Sequence, residues 1–417
     1  MLISVAIEFA NDQKPPQGND EDKKLEKPGA EEDKYDGTNN GDSSTSFTVT
    51  KLTSGSTIGI GSNVEGTNDT YGSGTTTTIT ASLADATGSS DAITFELGNR
   101  GADGDIDTLI ATTGIETVTI KDSANADQDA DLGVAGVDAT KIVVTGGKSG
   151  EELDLTDGGS STLSATTTTV DASAFKGNID VDASSDVATT FTTYGAVNRI
   201  TGSTGADTAT VGSTSNYIAT SIGDVDLGTG ADTITAYLAS SGSLVAVDST
   251  ETINVVVGDL TGTTSTITIG TSTDHGIADA TAFNLTGGLA NNVTTLSYDV
   301  LDGTKTIDAS AYLGSIALTT GDDQLVVAGA SDPVTIKGGL GTKDQLTIDS
   351  SATDTGEFTM TGVETIRFMA ESGASTLNLK NVTGLTSLIV SDNAGTQHNA
   401  VIKKADSGMT IDVGVAA

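Results

Sequence analysis

Short runs of alternating polar and apolar residues recur along most of the chain. From Phe47 onward, threonine alternates with valine, isoleucine, leucine or alanine, as in residues 47–52 and 76–83. Clusters of glycine, serine and asparagine separate these runs. A two-residue period bounded by turn residues is typical of β-strands that bury one face. The pattern predicts a chain of many short strands with almost no helix.

The first 46 residues have a different composition. Residues 11–46 contain three of the four prolines and a dense mixture of Asp, Glu and Lys with almost no apolar side chains. Such a segment buries too little apolar surface to offset its ordering entropy. We therefore expect residues 1–46 to form an acidic N-terminal arm that is disordered or extended.

Two sequence markers recur in the same order. The first is an Asp-containing turn followed by a Glu-Thr strand, in which the Glu lies 25, 19 or 20 positions after the Asp. Its copies contain Asp91 and Glu116, Asp232 and Glu251, and Asp344 and Glu364. The second marker, Asp-Ala-Ser-Ala before an aromatic residue, ends at Phe175 and at Tyr312, with a weaker copy in residues 381–389. We interpret the glutamates as outward-facing strand positions and the two aromatic residues as core residues at a coil corner.

The repeated order of the markers indicates tandem sheet units that stack because none buries its faces alone. It predicts an all-β, right-handed parallel β-helix, or β-solenoid, built from Gly-, Asp- and Thr-rich repeats. We expect an N-terminal cap with the first coils over residues 47–113 and a first module over 114–248. A second module should span 249–361, and a shortened third module 362–417.

Glycine- and aspartate-rich turns supply the candidate chemistry. Residues 202–210 and 227–235 follow the pattern Gly-x-Gly-Ala-Asp-Thr closely, and residues 320–325 and 338–346 are looser copies. We expect the glycines to adopt backbone angles that a side chain would forbid. The aspartates of the two closer copies, Asp207 and Asp232, lie 25 residues apart, and those of the looser copies, Asp323 and Asp344, lie 21 apart. Either separation suits one coil of a wide β-helix, which would stack the paired aspartates about 4.8 Å apart.

Carboxylates stacked that closely repel each other unless a cation or proton lies between them. Oxygen ligands suit a hard ion such as Ca²⁺. The alternative is that each Asp only closes a turn by hydrogen bonding to its own backbone. The predicted metal-site residues are Gly205, Asp207, Gly230, Asp232, Asp323, Gly341 and Asp344.

These turns resemble the glycine- and aspartate-rich nonapeptide of RTX proteins, whose stacked turns hold Ca²⁺. Together with the two markers, they look like the β-solenoid region of RTX-type bacterial surface-layer proteins, over about residues 88–390. The wider spacing here departs from the nonapeptide period of the family, so a tight two-strand β-roll is not expected. The resemblance implies Ca²⁺ as cofactor and type I export without an N-terminal signal peptide. The same acidic, Thr- and Gly-rich repeat pattern also resembles structural and fibre proteins of marine phages.

Composition narrows the function classes. The chain carries 19 Lys and Arg against 57 Asp and Glu, a formal charge of −38, which argues against nucleic acid as a partner. It has no cysteine, which excludes disulfides and thiol catalysis. Residues 1–10 lack a basic start and contain Glu8, so they make a poor signal peptide, and no run reaches the length of a membrane span. The two histidines show no metal-ligand spacing, and aromatic residues are only 4% of the chain.

The sequence therefore favours a non-enzymatic, extracellular structural protein that self-assembles into a surface layer or coat at the cell surface. Its expected partners are further copies of itself and, as a further candidate, cell-surface polysaccharide. A virion fibre or decoration protein is the alternative. A β-helix enzyme acting on polysaccharide is a third class, which the scarcity of aromatic and basic residues disfavours.

Overall fold

The computed structural model describes most of the chain from residue 46 onward. The described residues are 4–5, 46–60, 77–98, 106–123, 130–156, 162–183, 187–195, 197, 199–239, 242–244, 246–258, 264–269, 280–290, 293–298, 306–319, 334–350, 358–370, 374–392 and 399–415. Of the predicted arm at residues 1–46, the structure describes Ser4, Val5 and Ser46, and Ser4–Val5 pairs in parallel with Thr57 and Ile58. The rest of the arm lies outside the described residues, so its disorder stays a prediction. The chain divides into two compact units, residues 1–183 and 184–417.

The first unit is built from two parallel sheets. Its strands are β1 (Ser4–Val5), β2 (Ser46–Leu52), β3 (Ser56–Ile60), β4 (Thr77–Leu83), β5 (Ala92–Leu97), β6 (Ile106–Thr113), β7 (Thr117–Asp122), β8 (Ala130–Val137), β9 (Lys141–Gly146), β10 (Glu152–Asp154), β11 (Thr169–Phe175) and β12 (Asn178–Asp182). Odd-numbered strands lie side by side in one sheet and even-numbered strands in the other. The chain alternates between the sheets, so each pair of strands makes one coil.

The second unit has a similar plan with more strands. They are β13 (Thr190–Thr193), β14 (Arg199–Ser203), β15 (Thr208–Val211), β16 (Asp224–Gly228), β17 (Thr233–Leu238), β18 (Ser243–Leu244), β19 (Ala246–Asp248), β20 (Thr252–Val257), β21 (Thr264–Ile269), β22 (Ala282–Gly287), β23 (Val293–Tyr298), β24 (Thr306–Tyr312), β25 (Ser315–Thr319), β26 (Thr335–Lys337), β27 (Gln345–Ser350), β28 (Thr359–Thr361), β29 (Thr365–Ala370), β30 (Ala374–Asn378), β31 (Asn381–Thr383), β32 (Ser387–Asp392), β33 (Asn399–Lys403) and β34 (Thr410–Val415).

Four sets of neighbouring parallel strands organise this unit. The longest runs in the order β13, β15, β17, β20, β22, β24, β26, β28, β31. A second runs β14, β16, β19, and a third β18, β21, β23, β25, β27, β29, β32, β34. Strands β30 and β33 form a small fourth sheet. The strand pairs are parallel and in register over successive coils, as in the ladder Ile234, Ile253, Phe283, Ile307, Ile336, Met360.

The core follows the two-residue period of the sequence. In strands such as β5, β17 and β20, buried and half-buried residues alternate. The apolar residues of the Ile234 ladder are all buried, whereas the residues on either side of them along each strand, many of them threonines, are half-buried or exposed. The predicted all-β solenoid is therefore confirmed, and the described residues contain no helix, including none that could cross a membrane. The right-handed sense of the coils and the module boundaries remain predictions.

The Asp-Ala-Ser-Ala marker forms a β-bulge. In both copies the Asp Oδ1 accepts a hydrogen bond from the serine hydroxyl two residues later, at 2.6 Å in β11 and 2.5 Å in β24. The strand register shifts at the same place. The extra residue turns Phe175 and Tyr312 inward, where both are buried. The prediction that these two residues fill the core at a corner is confirmed.

Candidate functional site

Three of the predicted metal-site aspartates stand immediately before a strand. Asp207 precedes β15, Asp232 precedes β17 and Asp344 precedes β27. Thr208 pairs with Thr233 across the ladder, so Asp207 and Asp232 hold the same position on successive coils. The prediction that 25 residues correspond to one coil at this pair is confirmed.

Asp207 has a fully hydrogen-bonded carboxylate. Its Oδ1 accepts from the backbone N–H of Thr189 at 2.5 Å. Its Oδ2 accepts from the backbone N–H and the hydroxyl of Ser203, at 2.7 and 2.9 Å. The side chain is buried, and donors already satisfy both of its oxygens. Asp207 therefore works as an anchor for neighbouring backbone, and its carboxylate is poorly suited to hold a cation.

Asp232 has a different set of partners although it occupies the same position in the motif. Its Oδ1 accepts from the backbone N–H of Asp207, one coil earlier, at 2.7 Å. Its Oδ2 is buried without any hydrogen-bond partner. Burial raises the pKa of Asp232 to about 6. The hydrogen bond from the N–H of Asp207 acts in the opposite direction and lowers this pKa, whereas the negative charges of Glu251, Asp207 and Asp226 also raise it.

Asp344 repeats the arrangement of Asp232. Its Oδ1 accepts from the backbone N–H of Ile316 at 2.6 Å and of Gly339 at 3.2 Å, whereas its buried Oδ2 has no partner. Burial raises the pKa of Asp344 to about 6, opposed by those two hydrogen bonds, and the nearby Glu364 raises it too.

The predicted stacking of Asp323 on Asp344 is wrong. Strand β25 pairs with β27, so Asp344 has Ile316, 28 residues earlier, as its neighbour on the preceding coil. The coil that ends at Asp344 is 28 residues long. The 21-residue separation of Asp323 and Asp344 therefore does not correspond to one coil. Asp323 itself lies outside the described residues.

The glycines of these turns serve close contact between coils. None of Gly205, Gly230 and Gly341 has a positive φ, so the expectation of forbidden backbone angles is wrong for them. A Cβ on Gly230 would overlap the carbonyl oxygen of Gly205, and one on Gly341 would overlap the hydroxyl of Ser315. Glycine is needed because the neighbouring coil passes too close for a side chain.

Three glutamates belong to this group of contacts, and the sequence interpretation missed them. Glu116, Glu251 and Glu364 lie just before β7, β20 and β29 and are half-buried. Each Oε2 accepts from a backbone N–H on the preceding coil, at 2.8, 2.6 and 2.9 Å, and the donors are those of Asp91, Asp232 and Asp344. Their interpretation as outward-facing strand positions is therefore wrong. The signal was present in the sequence, because the recurring Asp-to-Glu spacings of 25, 19 and 20 are the separations of these hydrogen bonds.

The fit of these residues to Ca²⁺ is uneven. Asp232 and Asp344 each offer a buried carboxylate oxygen that lacks a donor, which suits a cation ligand. Asp207 offers none. Within the described ranges, no group of three or more His, Cys, Asp or Glu side chains is placed to hold a metal ion. A site here would complete its coordination with water or backbone oxygens.

A shallow pocket of roughly 380 Å³ lies between two turns of the first unit. It is lined by Leu52, Thr53, Ser54, Ala84, Asp85, Thr87, Gly88 and Asp91. This lining contains the carboxylates of Asp85 and Asp91 but no aromatic or basic side chain.

Comparison with protein-family models, with curated proteins and with solved structures found no match to this chain.

Proposed function

We propose that this chain is a non-enzymatic structural protein that self-assembles into an extracellular surface layer or coat, stabilised by Ca²⁺ at its Gly- and Asp-rich turns. One observation carries the proposal: the acids of the candidate site bind the backbone of neighbouring coils. Asp207, Asp232 and Asp344 each accept hydrogen bonds from a preceding coil, as do the glutamates that follow them. Such side chains build a rigid stack, whereas a catalytic acid must face a substrate.

Ca²⁺ would supply positive charge to the bare oxygens of Asp232 and Asp344. Binding to the folded chain alone stabilises it by RT ln(1 + [L]/Kd), or about 2.7 kcal/mol at a hundredfold excess over Kd. Asp207 and the glycines hold the turns in place around these oxygens. The same ion would reduce repulsion between copies, because a formal charge of −38 opposes close packing.

The proposed location is the cell surface, reached by type I-like export, with other copies of the chain as the main partner and surface polysaccharide as a second. The acidic, cysteine-free and repetitive sequence supports an extracellular location.

Electron microscopy of the purified full chain, with Ca²⁺ and with excess chelator, tests the proposal. We expect ordered sheets in Ca²⁺ that dissolve on chelation, both for the wild type and for the control variant Asp406→Asn, because the Asp406 side chain is exposed. The double variant Asp232→Asn/Asp344→Asn should fail to form sheets in Ca²⁺. Assemblies that persist unchanged in chelator, or constitutive trimers that form no sheet, would overturn the proposal in favour of a virion protein.

A further inference from the structure

Three acid pairs share one arrangement in the described chain. In each, the backbone N–H of an aspartate donates to the Oε2 of a glutamate on the following coil. Each of these aspartates also has a buried Oδ2 without a hydrogen-bond partner. The pairs are Asp91–Glu116, Asp232–Glu251 and Asp344–Glu364.

Two of the pairs, both in the second unit, are fully desolvated on the aspartate side. Asp232 and Asp344 have no exposed surface, whereas Asp91 is half-buried. A buried carboxylate oxygen without a donor is costly, because it has lost its water and gained nothing in exchange. The site therefore calls for a positive species beside Oδ2.

Among the described residues, the charged groups that act most strongly on these two aspartates are all acidic. The charged groups that act on Asp232 are Glu251, Asp207 and Asp226, all acidic. Glu364 acts on Asp344, and its side chain lies within hydrogen-bonding reach of the Asp344 carboxyl group. Three ion pairs between described residues join Lys121 to Glu96, Lys141 to Asp171 and Lys337 to Asp308, and none of them involves the acids of these two pairs.

We propose that Asp232–Glu251 and Asp344–Glu364 each hold one hard divalent cation between successive coils, with the glutamate as the second carboxylate ligand. Two carboxylates and one divalent ion balance in charge, and carboxylate oxygens prefer ions of the Ca²⁺ class over softer metals. The ion then ties two consecutive coils together through side chains that belong to both. This inference rests on the proposed function for the identity of the ion and adds the residues that complete its site.

Calorimetric titration of the full chain with Ca²⁺ tests the role of the glutamates. The variants Glu251→Gln and Glu364→Gln keep the carbonyl oxygen that accepts the backbone hydrogen bond but remove the charge. Each should eliminate one binding event or weaken it by about tenfold or more, and the double variant should affect both sites. Glu116→Gln is the matched control, because it changes the same contact beside a half-buried aspartate and should leave the two binding events intact. Circular dichroism of each variant in chelator verifies that the strands have formed.

Wild-type binding in both glutamate variants, combined with its loss in Asp232→Asn/Asp344→Asn, would overturn this inference and leave the proposed function standing. Failure of the wild type to bind Ca²⁺ would overturn both the inference and the Ca²⁺ part of the proposed function, and would indicate a shared proton in each pair. If Ca²⁺ binds but the assemblies persist in chelator, the proposed function fails and the inference stands.

Discussion

Asp207 and Asp232 occupy the same position on successive coils, in two copies of one turn motif, yet they have different surroundings. Asp207 receives hydrogen bonds on both carboxylate oxygens, from Thr189 and Ser203. Asp232 receives one, from the backbone of Asp207, and keeps a bare buried oxygen. The difference lies at Oδ2. The N–H and the hydroxyl of Ser203 both donate to Asp207 Oδ2, whereas Gly228, at the equivalent position of the second copy, has no hydroxyl and its N–H donates to Asp226 Oδ1.

The comparison separates two roles that one motif can play. A carboxylate that is saturated by donors contributes stability by itself and needs no ion. A carboxylate that is half-satisfied and fully buried costs stability until a cation or proton joins it. Four predictions test this separation between a saturated and a half-satisfied carboxylate.

Asp207→Ala should be the most damaging change at this pair of turns. It leaves the buried N–H groups of Thr189 and Ser203 without an acceptor, at about 1–3 kcal/mol for each. We expect a loss of about 3–5 kcal/mol in the free energy of unfolding, equal in Ca²⁺ and in chelator. Asp232→Ala leaves only the N–H of Asp207 without an acceptor. Its loss in the free energy of unfolding should therefore be clearly smaller in chelator. Urea unfolding measured for both variants checks the order, and equal losses would remove the distinction.

Gly230→Ala should push the two coils apart at the same turn. A Cβ there overlaps the carbonyl oxygen of Gly205, which is backbone and has little room to yield. We expect a loss of about 1–3 kcal/mol, together with weaker Ca²⁺ binding at Asp232. Gly59→Ala is the control, because its Cβ meets nothing within 4 Å. Thermal unfolding of the two variants should differ strongly, and a harmless Gly230→Ala would show that the coils are not in tight contact.

The pH dependence of the Ca²⁺-free chain should carry the signature of Asp232 and Asp344. Their folded pKa of about 6 lies above the ordinary value of 3.8, so the folded state binds more protons than the unfolded state between these values. Stability therefore falls as pH rises from about 4 to about 6, by up to about 3 kcal/mol for each group, and then levels off. Replacing both residues by Asn should flatten this part of the profile. A profile identical in the wild type and the double variant contradicts the assignment.

Asp232→Asn should have the smallest effect, with a sign that depends on the ion. The amide keeps an acceptor for the N–H of Asp207 and removes a buried charge, so in chelator at pH 7 we expect a gain of about 1 kcal/mol. In saturating Ca²⁺ the variant should be less stable than the wild type, because it gains less from the ion. Asp207→Asn should instead destabilise the chain both with and without Ca²⁺. Its amide NH₂ group would face a backbone N–H, which is also a donor. Melting temperatures of both variants, with and without Ca²⁺, test this reversal.

The strands and their stacking were predictable because they depend on local patterns. Alternating threonine and apolar residues predict strands such as β2 and β4, and the 25-residue spacing places Asp207 beside Asp232. The prediction failed at Asp344, because the coil before it is 28 residues long and the register is set by strand pairing. Loop insertions change the length of a coil without changing how its strands pair. The turn motifs therefore do not reveal the coil length.

The chemistry of the site was less predictable than its position. The glutamates were noticed as markers, but their hydrogen bonds join residues 19 to 25 positions apart, whose proximity depends on the folded register. Gly205 and Gly230 look like turn glycines, and only the closeness of the preceding coil explains them. The bare oxygens of Asp232 and Asp344 are likewise defined by burial, which the motif does not encode.

Anomalous diffraction from crystals of the full chain grown with Ca²⁺ tests the central claim most directly. We predict one ion between Asp232 and Glu251 and another between Asp344 and Glu364, with none on the carboxylate of Asp207. An ion bound to Asp207, or bare carboxylates at both pairs in saturating Ca²⁺, would contradict the account.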